Sequence, residues 1–66
     1  MTIGVAGLGL IGGSFAKAYK SAGHTVYGFD TDLNTLKFAK IAGAIDQTLN
    51  PETIGLCECI IIAVYP

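Results

Sequence analysis

The chain has 66 residues, 52% of them hydrophobic, and a formal net charge of −1 from four lysines and five acids, with no arginine. This balance excludes a basic footprint for nucleic acid or a cationic membrane patch, and no apolar run reaches the roughly 18 residues of a membrane span. Met1-Thr2-Ile3 leads straight towards a strand with no basic leader, so a soluble, cytoplasmic protein is expected.

Thr2-Ile3-Gly4-Val5-Ala6 reads as a short buried strand. Gly7, Gly9 and Gly12 follow in the pattern G-x-G-x-x-G and open a segment of helical period. Ile11, Phe15, Ala18, Tyr19 and Ala22 fall on one predicted apolar stripe, with Ser14, Lys17, Lys20 and Ser21 elsewhere, and Gly23 supplies a left-handed stop. His24 to Phe29 gives a second strand ending at Asp30. A second helix is expected from about Leu33 to Ala42, capped by Asp32, with Leu33, Leu36 and Ala39 on one side and Gly43 at its end. Ala44-Ile45-Asp46 is a short extended piece. Asn50-Pro51-Glu52 predicts a cap and one helical turn before Gly55. Glu58 to Val64 is apolar without alternation, which predicts a strand buried on both faces. Cys57 and Cys59 read as buried free thiols, and with His24 as the sole histidine no metal site is expected.

The glycine spacing has a physical reason. Gly7 lets the chain turn out of the first strand, Gly9 removes a side chain where backbone approaches a pyrophosphate, and Gly12 lets the helix press on the sheet. The free N–H groups and positive dipole end of the helix then favour an anion, by roughly 0.3–1 kcal/mol at an exposed site and more when partly buried. Asp30, 18 positions after Gly12, stands where an acid accepts the ribose hydroxyls of a dinucleotide. A 2′-phosphate there would meet like charge, at about 4 kcal/mol for unit charges 4 Å apart at an effective dielectric near 20. No arginine is present to receive it. NAD is therefore the expected cofactor, in preference to NADP.

Right-handed crossovers assemble these pieces into a parallel sheet of order 3-2-1-4 with both long helices on one face. The opposite face is covered only by Thr48 to Leu56, and the fourth strand is left as an edge. The fold class is thus α/β, a partial Rossmann domain comprising its N-terminal half. A chain of this size buries only about 60% of its unfolded surface. Residues 1–66 are accordingly expected to be part of a longer polypeptide, whose substrate and dimerisation domain lies elsewhere, or to fold against a partner chain. A stand-alone nucleotide-binding module using Ile60-Ile61-Ile62 as an association edge is the alternative.

Gly7-Leu8-Gly9-Leu10-Ile11-Gly12-Gly13-Ser14 resembles the cofactor loop of the prephenate dehydrogenase family, which includes arogenate dehydrogenases. The likeness extends through Gly23-His24-x-Val26-x-Gly28-x-Asp30, Gly43-Ala44-Ile45-Asp46 and the strand ending Ala63-Val64. Departures are Tyr65, where the family more often has proline, and Cys57-Glu58, where Ala-Asp is usual. The resemblance implies an oxidoreductase of tyrosine biosynthesis that oxidatively decarboxylates prephenate or arogenate with NAD or NADP, homodimeric in its complete form. Another NAD(P)-dependent imine or hydroxyacid reductase is the runner-up. The resemblance also implies that Leu8, Gly9, Leu10 and Ile11 cradle the pyrophosphate by backbone and that Asp30, beside Thr31, holds the adenosine ribose. Ala63, Val64 and Tyr65 would line the nicotinamide side. No catalytic residue is expected here, because His24 does not match the family's catalytic histidine and reads as structural.

Overall fold

The structure is a computed structural model that describes residues 1–63, without the side chains of Leu10 and Ile11. Its central strand is β1 (Thr2–Ala6), and β2 (Thr25–Phe29) lies on one side of it, followed outward by the two-residue β3 (Gln47–Thr48). On the other side runs β4 (Cys59–Ile62), giving the order β3-β2-β1-β4 with every pairing parallel. Parallel neighbours require crossovers, supplied here by α1 (Leu10–Ser21) between β1 and β2 and by α2 (Leu33–Ile41) between β2 and β3. The order and the parallel direction agree with the sequence expectation.

Both helices stop in the same way. Gly23 and Gly43 take the left-handed conformation, with φ of +91° and +75°. The next amide in each case reaches back five residues, His24 N–H to Tyr19 O at 3.0 Å and Ala44 N–H to Ala39 O at 2.9 Å. These paired closures satisfy carbonyls that a helix end otherwise leaves open, and they turn the chain directly into the next strand.

The core lies between the sheet and the helices. Ile3 and Val5 from β1, Val26 from β2, Leu8, Ala16, Ala39, Ala44 and Ile45 form one buried cluster, with Tyr19, Leu36 and Ile61 packed against it. The helix faces differ from the expected stripes. Among the described side chains of α1 the buried positions are Gly12 and Ala16, with Tyr19 half-buried, whereas Phe15, Ala18 and Ala22 are exposed; Ile11 of the expected stripe lies outside the described side chains. On α2 Ala39 is buried and Leu36 partly so, while Leu33, Phe38 and Ile41 face outward. The physical reason is close approach: small residues let the helix axis come near the sheet, which rotates the larger side chains away.

Three further boundaries shift. The extended piece expected at Ala44-Ile45-Asp46 pairs with β2 only from Gln47, three residues after its expected start, while Ala44 and Ile45 bury their side chains. The turn after Asn50 does carry the expected cap, Asn50 Oδ1 accepting from the N–H groups of Glu52 and Thr53 at 2.9 Å each. It continues, however, into a 3₁₀ turn at Ile54–Leu56. Finally, β4 is not buried on both faces, since Ile60 is 42% and Ile62 is 72% exposed. Its outer edge has no neighbour among the described residues. The segment after β3 packs over the face opposite the helices, with Leu49 and Cys57 against Gly4 of β1. There Ala6, Phe29, Leu49, Pro51 and Ile54 line an apolar cavity of about 540 Å³. The thiols are free as expected, but Cys57 is half-buried and Cys59 exposed, because Cys57 precedes the strand and Cys59 lies on its open edge.

One ion pair joins the ends of the crossovers. Lys20, in the last turn of α1, bonds Asp46 Oδ1, and the other carboxylate oxygen accepts the Val26 N–H at 2.8 Å. The Lys20 hydrogen bond, then the Val26 amide, hold the Asp46 carboxyl below its ordinary range. Burial pushes the Cys57 thiol up.

Candidate dinucleotide site

The carboxyl ends of β1, β2 and β4 meet at Ala6, Phe29 and Ile62, which stand in register. The chain departs from β1 to one side and returns at β4 on the other, so this is the point where strand order reverses. Open α/β sheets bind ligands in the crevice at such a point.

From Ala6 the chain enters Gly7, whose φ is +94° and whose N–H donates to Phe29 O at 2.7 Å. Leu8 then drops its side chain into the core at 5% exposure. Gly9 is exposed and caps α1 in an extended conformation with φ of −68°, which any residue can adopt. The need for glycine at position 9 therefore does not come from its backbone angles. Gly12 is different: a Cβ built there would stand 1.6 Å from the Gly7 carbonyl oxygen, so helix and loop touch backbone to backbone. At Gly13 the nearest obstacle, Leu8 O, would be 3.4 Å away.

The two helix entrances contrast. Asp32 caps α2, its Oδ1 accepting from Asn34 N–H at 2.9 Å and Thr35 N–H at 3.4 Å, as expected. At α1 the cap residue has no side chain to accept a bond, and no acid stands in the first turn. The amide-lined mouth of α1 thus keeps donors for an external anion, where the helix dipole adds to them.

Asp30 follows β2 and is half-exposed. Its Oδ2 accepts the Leu8 N–H at 2.8 Å and its Oδ1 accepts the Asp32 N–H at 2.8 Å. An ionised carboxylate has about four acceptor positions, so two internal bonds leave capacity for a sugar hydroxyl. They also commit the Leu8 amide to Asp30, which removes it from the set expected to cradle a diphosphate. Sequence reading did not find this contact, because no local pattern pairs an acid with an amide 22 residues earlier.

The remaining expected positions divide. Thr31 is exposed in the bend before α2. Ala63 donates its N–H to Ala6 O at 2.8 Å, and its Cβ lies 3.3 Å from where a Gly12 Cβ would be, so the structure brings it beside the glycine loop. Val64 and Tyr65 lie outside the described residues. His24 packs edge-on against Tyr19 with ring centroids 5.9 Å apart, away from the loop. Between α1 and α2 a cleft of about 480 Å³ runs along Gly9, Gly13, Ser14, Lys17 and Phe38. No helix among the described residues is long and apolar enough to cross a membrane. No group of three His, Cys, Asp or Glu among them is placed to hold a metal.

A parallel sheet reversing at a glycine turn, an uncapped helix mouth above it and an acid after the second strand define a Rossmann-type dinucleotide-binding unit. The family model of the NAD-binding domain of 6-phosphogluconate dehydrogenase matches residues 2–65, and the chain belongs to this family of NAD-binding domains. No curated protein and no solved structure matches it. The family sets the chain in an oxidoreductase context with NAD(H) as its ligand.

Proposed function

We propose that this chain is the amino-terminal cofactor-binding part of an NAD-dependent dehydrogenase acting on prephenate or arogenate. The observation that carries the cofactor reading is the backbone contact of Gly12 with Gly7 beneath an uncapped helix mouth. The motif Gly7-Leu8-Gly9-Leu10-Ile11-Gly12-Gly13-Ser14 carries the substrate reading. When bound, the nicotinamide supplies a hydride acceptor at its C4. The amides of Gly9, Leu10 and Ile11 hold the diphosphate, Asp30 beside Thr31 accepts the adenosine ribose hydroxyls, and Ala63, Val64 and Tyr65 border the nicotinamide. This segment contributes binding and orientation, with no proton-transfer group of its own. The remainder of the polypeptide covers the apolar face at Ala6, Phe29, Ile54 and Ile62 and supplies the substrate pocket.

The family match to the 6-phosphogluconate dehydrogenase domain favours a second reading, a reductase for hydroxyacids or imines built on the same half-fold. Substrate assays on the complete reading frame separate the two. NADH formation dependent on prephenate or arogenate supports the first, and turnover only with a hydroxyacid or imine supports the second. NADP used in preference to NAD would refute the assignment of Asp30 as the ribose acceptor.

A further inference from the structure

We propose that Asp30 is a positioning residue for the diphosphate site: its carboxylate fastens the turn after β1 to the turn after β2 and holds the glycine loop in its anion-receptive shape before any ligand arrives. The two oxygens serve different turns, Oδ2 taking the Leu8 N–H and Oδ1 the Asp32 N–H, each at 2.8 Å. Asp32 in turn caps α2, so the entrances of both helices depend on one side chain. Leu8 is held twice, by its amide to Asp30 and by its side chain in the core, and Gly7 is tied to Phe29 O beside it. With Leu8 anchored, the next residue is the exposed Gly9, where α1 begins without a side-chain cap.

The chemistry selects a short carboxylate. Both partners are N–H donors, so both side-chain atoms must accept, and an asparagine would turn its NH2 group towards one of them. Leaving a donor unmet at a turn loosens that turn, and ordering it again on binding weakens affinity for every ligand that uses the loop. A residue that touched only the ribose would affect only ligands with ribose hydroxyls.

The proposal rests on the dinucleotide reading above, and the test keeps the two apart. NAD and 2′,3′-dideoxyadenosine 5′-diphosphate, which lacks both ribose hydroxyls, are titrated calorimetrically into the protein and its Asp30→Asn variant. Positioning predicts that the variant binds the dideoxy probe about tenfold more weakly than the unaltered protein does. Equal affinity for that probe would overturn the proposal, leaving Asp30 a ribose contact alone. Hydrogen exchange on the unaltered, ligand-free protein tests the latch independently of whether the variant folds. The Leu8 amide is expected to exchange as slowly as neighbouring strand amides, and exchange at the unprotected rate would overturn the proposal. Absence of NAD binding by the unaltered protein would overturn both readings, whereas failure of the latch alone would leave that binding intact.

Discussion

Replacing Gly12 by alanine adds one methyl group where the structure has none to spare. The new Cβ would lie 1.6 Å from the Gly7 carbonyl oxygen and 2.8 Å from its carbon, both backbone atoms that no rotamer change can move. Overpacking typically costs about 1–3 kcal/mol and occasionally more, and an unyielding obstacle puts this site at about 3 kcal/mol or above. Against a total of roughly 0.05–0.15 kcal/mol per residue, that is a third or more of the stability of a domain this small. At about 4–8 °C per kcal/mol, the melting temperature should fall by some 12 °C or more. Gly13→Ala provides the control, because its Cβ would meet only Leu8 O at an ordinary 3.4 Å. Helix propensity there favours alanine by up to about 1 kcal/mol. Thermal melts of the three proteins, with and without NAD, check the reasoning. A Gly12→Ala variant that melts with the unaltered protein and keeps its NAD affinity would refute the close contact on which the site is built.

Other perturbations address separate parts of the molecule. Asp46 has a carboxyl held low when folded, so its stabilisation is complete above the unfolded value near pH 3.9 and is lost as pH falls through the folded one. The stability gap between the protein and its Asp46→Asn variant should accordingly narrow below about pH 4 in denaturant titrations, and a gap unchanged by acid would remove the Lys20 partnership as its cause. Gly28→Ala would place a Cβ 2.6 Å from Ile45 Cγ2, so it should destabilise by about 1–3 kcal/mol. Combined with Ile45→Ala it should cost less than the sum of the single changes, whereas strict additivity would show the two sites do not touch. Gly9→Val should weaken NAD at least about tenfold by isothermal titration with little change in melting temperature, since its backbone angles suit any residue. Asp30→Ser should reduce the preference for NAD over NADP, read as the ratio of the two dissociation constants, and an unaltered ratio would place the ribose elsewhere.

Features encoded by neighbouring residues were legible before the structure. The glycine turn, the stops at Gly23 and Gly43, the Asp32 and Asn50 caps and the sheet order all follow from residue type and the handedness of crossovers. The buried face of α1 was not, because hydrophobic periodicity points to the largest apolar residues. Among the described residues of this helix the contact is made by Gly12 and Ala16, and Phe15 stays at the surface. The apolar run of β4 signalled burial that the described residues do not provide, since periodicity reports what a strand is suited to pack against and not what is there. Spacing also placed the glycines at the turn after β1 and Asp30 just past the end of β2, where the structure has them. The tie from Asp30 to Leu8 and the clasp of Asp46 on Lys20 and Val26 join residues 20 or more positions apart and depend on tertiary placement.

The backbone contact between α1 and the turn after β1 has a mechanical corollary. With nothing but hydrogen atoms between Gly12 and the Gly7 carbonyl, this helix and strand are geared together, and any tilt of one drags the other. Between α1 and α2, by contrast, a cleft intervenes, so the two helices are not coupled in this way. On the proposed placement of the diphosphate at this helix mouth, that end of the cofactor would rest on the stiffest part of the unit.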